Sequence, residues 1–391
     1  MRFTRLLAVP VALGMLLAAC GDDAKSTDTN APASDTTAPA SDTTAGGAED
    51  PAAAGLAAAQ LVVDANKTAP EKIGPTIPLE SVPEAKTVAW LQCSLPSCAA
   101  IGVGFTNATD ALGWKLEVIT YEADPVAAFQ QAIDLGVDYV ATTGTSQAVI
   151  QDQIDAAKAA GIGYFSCYDT SEPKGEENNI WTQCGDATNV FAAGDRIANQ
   201  VIVDSAGAAN VLMVNIPDFA VLVSEREGSE AAYKANCPGC KFTELALTLD
   251  QLLAGEVAGA VVSAVQADPS INYIHVAFDG LSTGLTSVLA DAGLLEGRKV
   301  VGVDFSGAVL QEIVDGTMAF WTANPKEYAA WVMVDAMARH SIGQENTEER
   351  ANANLPSFVV SSPAQAEPLV AGDGWPGPDT MAEQFKTLWG V

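Results

Sequence analysis

From Lys86 onward, short runs of β-branched and aromatic residues alternate with longer stretches whose apolar positions recur at helical spacing. The first series predicts strands over 87–92, 116–120, 139–142 and 163–167, with helices between them over 98–112, 126–135 and 146–160. Asp124-Pro125 starts one of these helices and Gly161 stops another. A second series repeats the pattern, with strands over 210–214, 242–246, 273–278 and 299–303 and helices over 224–234 and 251–266. Successive β-helix-β units require right-handed crossovers and a parallel sheet covered on both faces. The expected fold class is α/β, with two doubly wound parallel-sheet lobes. In such open sheets, ligands bind beyond the carboxyl ends of the strands.

The candidate site follows from that rule. Strand-end positions hold Ser94, Thr142, Thr143, Tyr168, Asp169, Phe219, Phe278, Asp279 and Asp304. Carboxylates accept charge-assisted hydrogen bonds from hydroxyls and flat rings cover sugar C–H faces, so the mixture suits a small polyhydroxylated ligand. Phe219, Phe278 and Phe305 would make the cleft rather apolar, which keeps an aromatic or nucleoside-like solute as the alternative. Asp279 and Asp304 also stand where a carboxylate could simply cap a helix. Trp181 and Trp321 read as core.

Composition narrows the function classes. The 391 residues carry 49 acids against 19 Lys and Arg, a net charge of −30, which argues against a nucleic-acid partner. Apolar residues make up 48% and charged ones 17%, enough to bury sizeable cores. His275 and His340 are the only histidines and neither has a ligand or base at useful spacing, so no metal or cofactor is expected. No nucleophile elbow, P-loop, zinc-protease motif or dinucleotide fingerprint is present, and the chain does not read as an enzyme. Gly102-Val103-Gly104 lies inside a helical pattern and reads as a close-packing device.

The amino terminus adds a compartment. Arg2 and Arg5 precede an apolar run from Leu6 to Leu17, too short to stay as a membrane span, and Leu17-Ala18-Ala19-Cys20 resembles the bacterial lipobox. Residues 1–20 are then a lipoprotein signal peptide, Cys20 is the lipidation site, and the mature chain is extracytoplasmic and membrane-anchored. Residues 21–55 read as a flexible tether of Ala, Ser, Thr, Asp, Pro and Gly, and 56–84 as an extension. With the two leader arginines and the tether's −6 set aside, −26 remains on the rest. The six other cysteines form three sequence-local candidates for disulfides: Cys93 with Cys98, Cys167 with Cys184, and Cys237 with Cys240. Several connectivities stay open; the neighbour pairing is the expected one, with the Cys237-Pro-Gly-Cys240 unit acting as a turn clamp.

Residues 267–284, with Phe278-Asp279-Gly280 after a strand, and Val300-Val301-Gly302-Val303-Asp304 resemble the ribose-binding-like (type I) periplasmic substrate-binding proteins of ABC importers. Ala157, Ala160-Gly161-Ile162 before the fourth strand fits the same family, and the ordered series covers about residues 85–350. The resemblance implies a first lobe over 85–185 plus 325–352, a second over 186–324 plus 353–391, and a three-segment hinge near 185–187, 322–325 and 352–356. It also implies that Asp304 binds ligand hydroxyls and that Asn324 sits at the hinge. Arg226 lies near the family's ligand-binding arginine but one place closer to the glycine. Phe278 replaces the family's polar residue before the strand-end Asp, and Tyr168-Asp169 replaces Asp-Arg, so ribose itself is not expected. The function so implied is capture of a sugar or sugar alcohol by a monomeric receptor that hands it to an ABC permease. A receptor of the same shape could instead feed a signalling or quorum-sensing partner. A repressor of related lobes is opposed by the leader, the acidity and the lack of a helix-turn-helix.

Overall fold

The computed structural model describes residues 50–122, 124–170, 174–344 and 355–391. The leader, Cys20, the tether up to residue 49, and Asn352 and Asn354 of the third expected crossing lie outside the described residues.

Two sheets form, one for each repeat of the apolar pattern. The first contains β1 (Thr87–Gln92), β2 (Lys115–Thr120), β3 (Tyr139–Thr143), β4 (Gly163–Cys167) and β5 (Ile180–Cys184), all parallel in the order β2-β1-β3-β4-β5. The second contains β6 (Asn210–Asn215), β7 (Lys241–Ala246), β8 (Tyr273–Val276), β9 (Lys299–Val303) and β10 (Phe320–Thr322) in parallel, with β11 (Val359–Val360) antiparallel at one edge. Its order is β11-β10-β9-β8-β6-β7. Central strands such as β6 are buried along their whole length, which is why they read as unbroken apolar runs.

In the first lobe the helices are α2 (Pro96–Leu112), α3 (Pro125–Leu135) and α4 (Gln147–Ala159). In the second they are α5 (Ala187–Asp204), α6 (Ala220–Asn236), α7 (Leu249–Leu253), α8 (Val257–Ala267), α9 (Leu285–Asp291) and α10 (Gly307–Asp315). The single helix expected over 251–266 is two, because Gly255 stands at φ +71° between them. Helix α11 (Lys326–Ser341) returns to the first lobe and lies on α2, where a Cβ on Gly104 would stand 2.4 Å from the Glu327 carbonyl oxygen. Gly102 faces Trp90 and Gln92 of β1, so both glycines serve close packing.

The chain crosses between the lobes after β5, after β10 and around Leu355–Phe358, where Leu355 joins the first core and Phe358 the second. Two further segments also span them. Helix α1 (Pro51–Ala65) starts inside the stretch expected as tether: Asp50 accepts a hydrogen bond from Ala52 N at 3.1 Å and Pro51 takes the first helical position. It packs on α5 and α6 of the second lobe, and the chain then runs to the first, where Gly74 N donates to Tyr328 Oη at 2.8 Å and Leu79 N to Leu388 O at 2.8 Å. At the other end, helix Pro363–Val370 packs on the second lobe but helix Met381–Trp389 does not follow it. Met381, Phe385 and Trp389 recur every four residues and bury that face against Tyr328 and Trp331 of the first lobe. This helix, inside the stretch 353–391 expected in the second lobe, is therefore a core element of the first. Trp389 Nε1 donates to Asp335 Oδ1 at 2.8 Å, fixing its depth.

The cysteines stand as neighbours in three pairs, Cys93 with Cys98, Cys167 with Cys184 and Cys237 with Cys240, at Cα–Cα separations of 5.6, 4.7 and 5.3 Å. The last pair closes the turn after α6, where Cys240 N donates to Cys237 O at 3.0 Å. No helix of the described residues is long and apolar enough to cross a membrane.

Candidate functional site

The carboxyl ends of both sheets open onto one cavity of about 830 Å³. That volume lies within the usual range for small-molecule sites. Of the residues singled out from the sequence, Ser94, Thr143, Tyr168, Asp169, Phe219, Phe278, Asp304 and Asn324 line it.

Tyr168 and Asp304 occupy matching places, each directly after a strand and each with left-handed backbone, at φ 55° and φ 60°. Non-glycine residues hold that conformation at a cost of order 1 kcal/mol, and such positions concentrate at functional sites. Tyr168 reaches out of the first lobe, and its hydroxyl donates to Asn324 Oδ1 in the hinge. Burial, and then the charge of Asp304, push the Tyr168 phenol well above its usual range, so it remains a donor. Asp169 is buried and accepts from Ser166 Oγ at 3.0 Å.

Asp304 caps no helix. Helix α10 begins three residues later behind Ser306, and the Asp304 carboxylate turns instead to Lys326, Oδ1 to Nζ 3.2 Å. Lys326 also lies 3.3 Å from Asp279 Oδ2 and donates to Phe305 O at 3.3 Å. Burial opposes the Lys326 ammonium, but Asp304 and Asp279 together hold its pKa above the ordinary lysine value. Burial pushes Asp304 up to about 7; Lys326 pulls it down and Asp279 adds to the rise. The Lys326 ammonium is the one charged partner that Asp304 Oδ1 has among the described residues.

Four of the expected residues do not line the cavity. Arg226 points along α6, with Nη1 2.6 Å from Glu230 Oε2 and Nε 3.7 Å from Glu244 Oε2. Asp279 stands behind Lys326 and Thr142 is buried against Tyr164, their hydroxyls 2.7 Å apart; neither lines the cavity. Phe305 likewise lies in the second core.

Glu225, 1% exposed, faces the cavity from α6, together with Ala220, Val221 and Leu222 of its first turn. Its depth is set by the crossing of α5 over α6, where a Cβ on Gly194 would stand 2.0 Å from Glu225 O and one on Gly228 2.0 Å from Phe191 O. Glu225 Oε1 lies 3.3 Å from His275 Nε2 of β8 without a hydrogen bond. Burial drives His275 down to about 3, so the ring is neutral, and burial with the nearby Asp304 drives the Glu225 carboxyl well above its usual range. The signal for Glu225 was present in the sequence: it occupies the spacing from Gly228 that Arg226 misses by one. Lys326 carried no such signal, since only the fold brings the start of α11 against β9.

Arg196 borders the cavity but is occupied, donating to Asn66 Oδ1 at 2.8 Å and Ser357 Oγ at 3.3 Å; burial lowers its pKa to about 10. Thr322 Oγ1, at the end of β10, is buried with no hydrogen-bond partner.

Solved structures share this two-lobed architecture. A 5-methylthioribose transporter solute-binding protein from Thermotoga lettingae, in complex with 5-methylthioribose, is 18% identical, with 80% of this chain and 99% of that one covered and a TM-score of 0.62. A solute-binding protein from Agrobacterium vitis bound with α-D-tagatopyranose is 17% identical over 74% of this chain and 99% of that one, with a TM-score of 0.64. A carbohydrate transporter from Acidothermus cellulolyticus in complex with myo-inositol is 18% identical over 77% and 99%, with a TM-score of 0.58. At these identities the likeness establishes the fold. No curated protein matches the sequence. Residues 95–345 match the family described as "Periplasmic binding protein domain", and with well over half its length inside that match, the chain belongs to the periplasmic binding proteins.

Proposed function

We propose that the mature protein is an extracytoplasmic receptor, anchored through Cys20, that captures a sugar or sugar alcohol between its lobes and presents it to an ABC-type permease. The observation that carries this reading is the cavity itself: carboxylates and hydroxyls from both sheets converge with the rings of Tyr168, Phe219 and Phe278 on a space of about 830 Å³. The polyhydroxylated ligands of the similar structures support the same class. Ligand contacts to both lobes would bias an open-closed equilibrium, and closure is the signal a permease reads. No bond in the ligand is broken. In this reading Ser94, Thr143, Tyr168, Asp169, Phe219, Phe278, Asp304 and Asn324 touch the ligand, three disulfides brace the loops in an oxidising compartment, and the receptor acts as a monomer.

Thermal melting of the protein against sugars, polyols, nucleosides and aromatic acids tests the class. A ligand that binds only the native state raises Tm by mass action. A rise with a sugar or polyol, accompanied by a smaller radius of gyration in X-ray scattering, is expected. A rise confined to nucleosides or aromatic acids would overturn the sugar assignment.

A further inference from the structure

We infer that the ligand carries a positively charged amino group, seated against the second-lobe floor formed by Glu225, Asp304 and Thr322. The inference rests on the sugar-receptor reading above and narrows it to an amino sugar or amino polyol.

Two buried oxygens at this floor, Glu225 Oε1 and Thr322 Oγ1, lack hydrogen-bond partners, and a third, Asp304 Oδ1, has only the Lys326 ammonium at 3.2 Å. All three residues line the cavity. An ionised carboxylate only accepts, so these two are satisfied by a donor from the ligand or by holding a proton, and buried acceptors left unpaired are costly. Charge decides which donor fits. The groups packed around the floor are Lys326, Asp279, His275 and Tyr168; His275 and Tyr168 are neutral, and Lys326 already faces both Asp279 and Asp304. One ammonium thus stands against three carboxyls. Both Glu225 and Asp304 are pushed upward in pKa, as expected of buried carboxyls short of a cation. An added ammonium would draw both toward the ionised form and make up the missing charge.

Two alternatives are disfavoured on the same grounds. An anionic ligand such as a sugar acid would set its charge beside Glu225 and Asp304, while Lys326 is held by its carboxylates and Arg196 directs Nε and Nη1 to Asn66 and Ser357. A metal ion would need several ligands around one point, and no group of three or more His, Cys, Asp or Glu residues is so arranged among the described residues.

The experiment measures thermal shift and calorimetric affinity for matched sets: glucosamine and galactosamine, their neutral parent sugars, their N-acetyl forms, the corresponding sugar acids, and simple amines such as putrescine. It is run at a pH where the amines are protonated. At least one free amine should bind at least about tenfold more tightly than its neutral parent and its N-acetyl form, because a charge-assisted contact is gained. The variant Glu225→Gln should remove most of that difference, with its melting temperature without ligand showing that it folds. Equal or tighter binding of neutral sugars or sugar acids overturns the amine inference and leaves the sugar receptor standing. Binding of simple amines without any sugar supports the amine contact and overturns the sugar reading. No binding by any compound overturns both.

Discussion

The two faces of the cleft are built from the same strand-turn-helix pattern but finished differently. On the first lobe Asp169 is hydrogen-bonded by Ser166, and Tyr168 is engaged with Asn324 across the hinge. On the second, Glu225 and Thr322 keep buried oxygens without hydrogen-bond partners, and Asp304 Oδ1 has only Lys326 at 3.2 Å. One lobe presents a satisfied wall and the other a floor that awaits donors. In the proposed reading the second lobe would select the ligand by charge and the first would enclose it.

The outer surfaces differ as well. The first lobe buries the aromatic row of Trp331, Phe385 and Trp389 at its terminal helix, whereas the second is covered by the Ala-rich α1. The largest effect should expose that asymmetry: Trp389→Ala is expected to destabilise the protein by about 3–5 kcal/mol, since an indole packed in a core is lost together with its bond to Asp335. Leu61→Ala, at a side chain 72% exposed on α1, should change stability by less than about 0.5 kcal/mol. Denaturant unfolding of both variants checks the pair; equal costs would mean the terminal helix is not a core element.

A smaller effect separates the two cleft faces by pH. Because Asp304 is raised to about 7 from an ordinary value near 4, its neutral form favours folding. That stabilising contribution is complete below about pH 4 and disappears as pH rises through about 7. His275 works against it, since a buried neutral ring loses stability as pH falls from about 6.5 towards 3. The difference between wild type and Asp304→Asn isolates the carboxyl. The variant's melting temperature relative to wild type, without ligand, should climb between about pH 4 and 7. A flat difference would show that Asp304 is not held in a raised state. Smallest of all, Ser94→Ala on the exposed rim of the first lobe should weaken ligand binding by less than about threefold in calorimetry. A tenfold loss would transfer selectivity to the first lobe.

Legibility in the sequence followed periodicity. Strand β9 and the residue after it could be placed because Val300 to Val303 is an apolar run ended by a carboxylate, and β1, β3 and β4 were equally plain. Strand β5 was not, since a polar loop precedes it and five residues carry little alternation. The terminal helix was visible as a helix, but its lobe was not. Its apolar stripe fits either core, and only the route of residues 371–380 decides. At the site, single strand-end residues were within reach and pairings were not. Asp304 could be named, while Lys326 is 22 positions away in the chain and reaches it only because α11 starts at the hinge. Arg226 misled for a related reason: a shift of one position on a helix rotates a side chain by roughly 100°, which turns Arg226 to Glu230 and brings Glu225 to the cavity.

The most direct test of the two-lobe receptor is calorimetric titration of the sugar giving the largest thermal shift into wild type and Asp304→Ala. Loss of a charged acceptor at the floor of the cleft should weaken binding by at least about 30-fold, corresponding to roughly 2 kcal/mol. Unchanged affinity in a folded variant would contradict the placement of the ligand between the lobes.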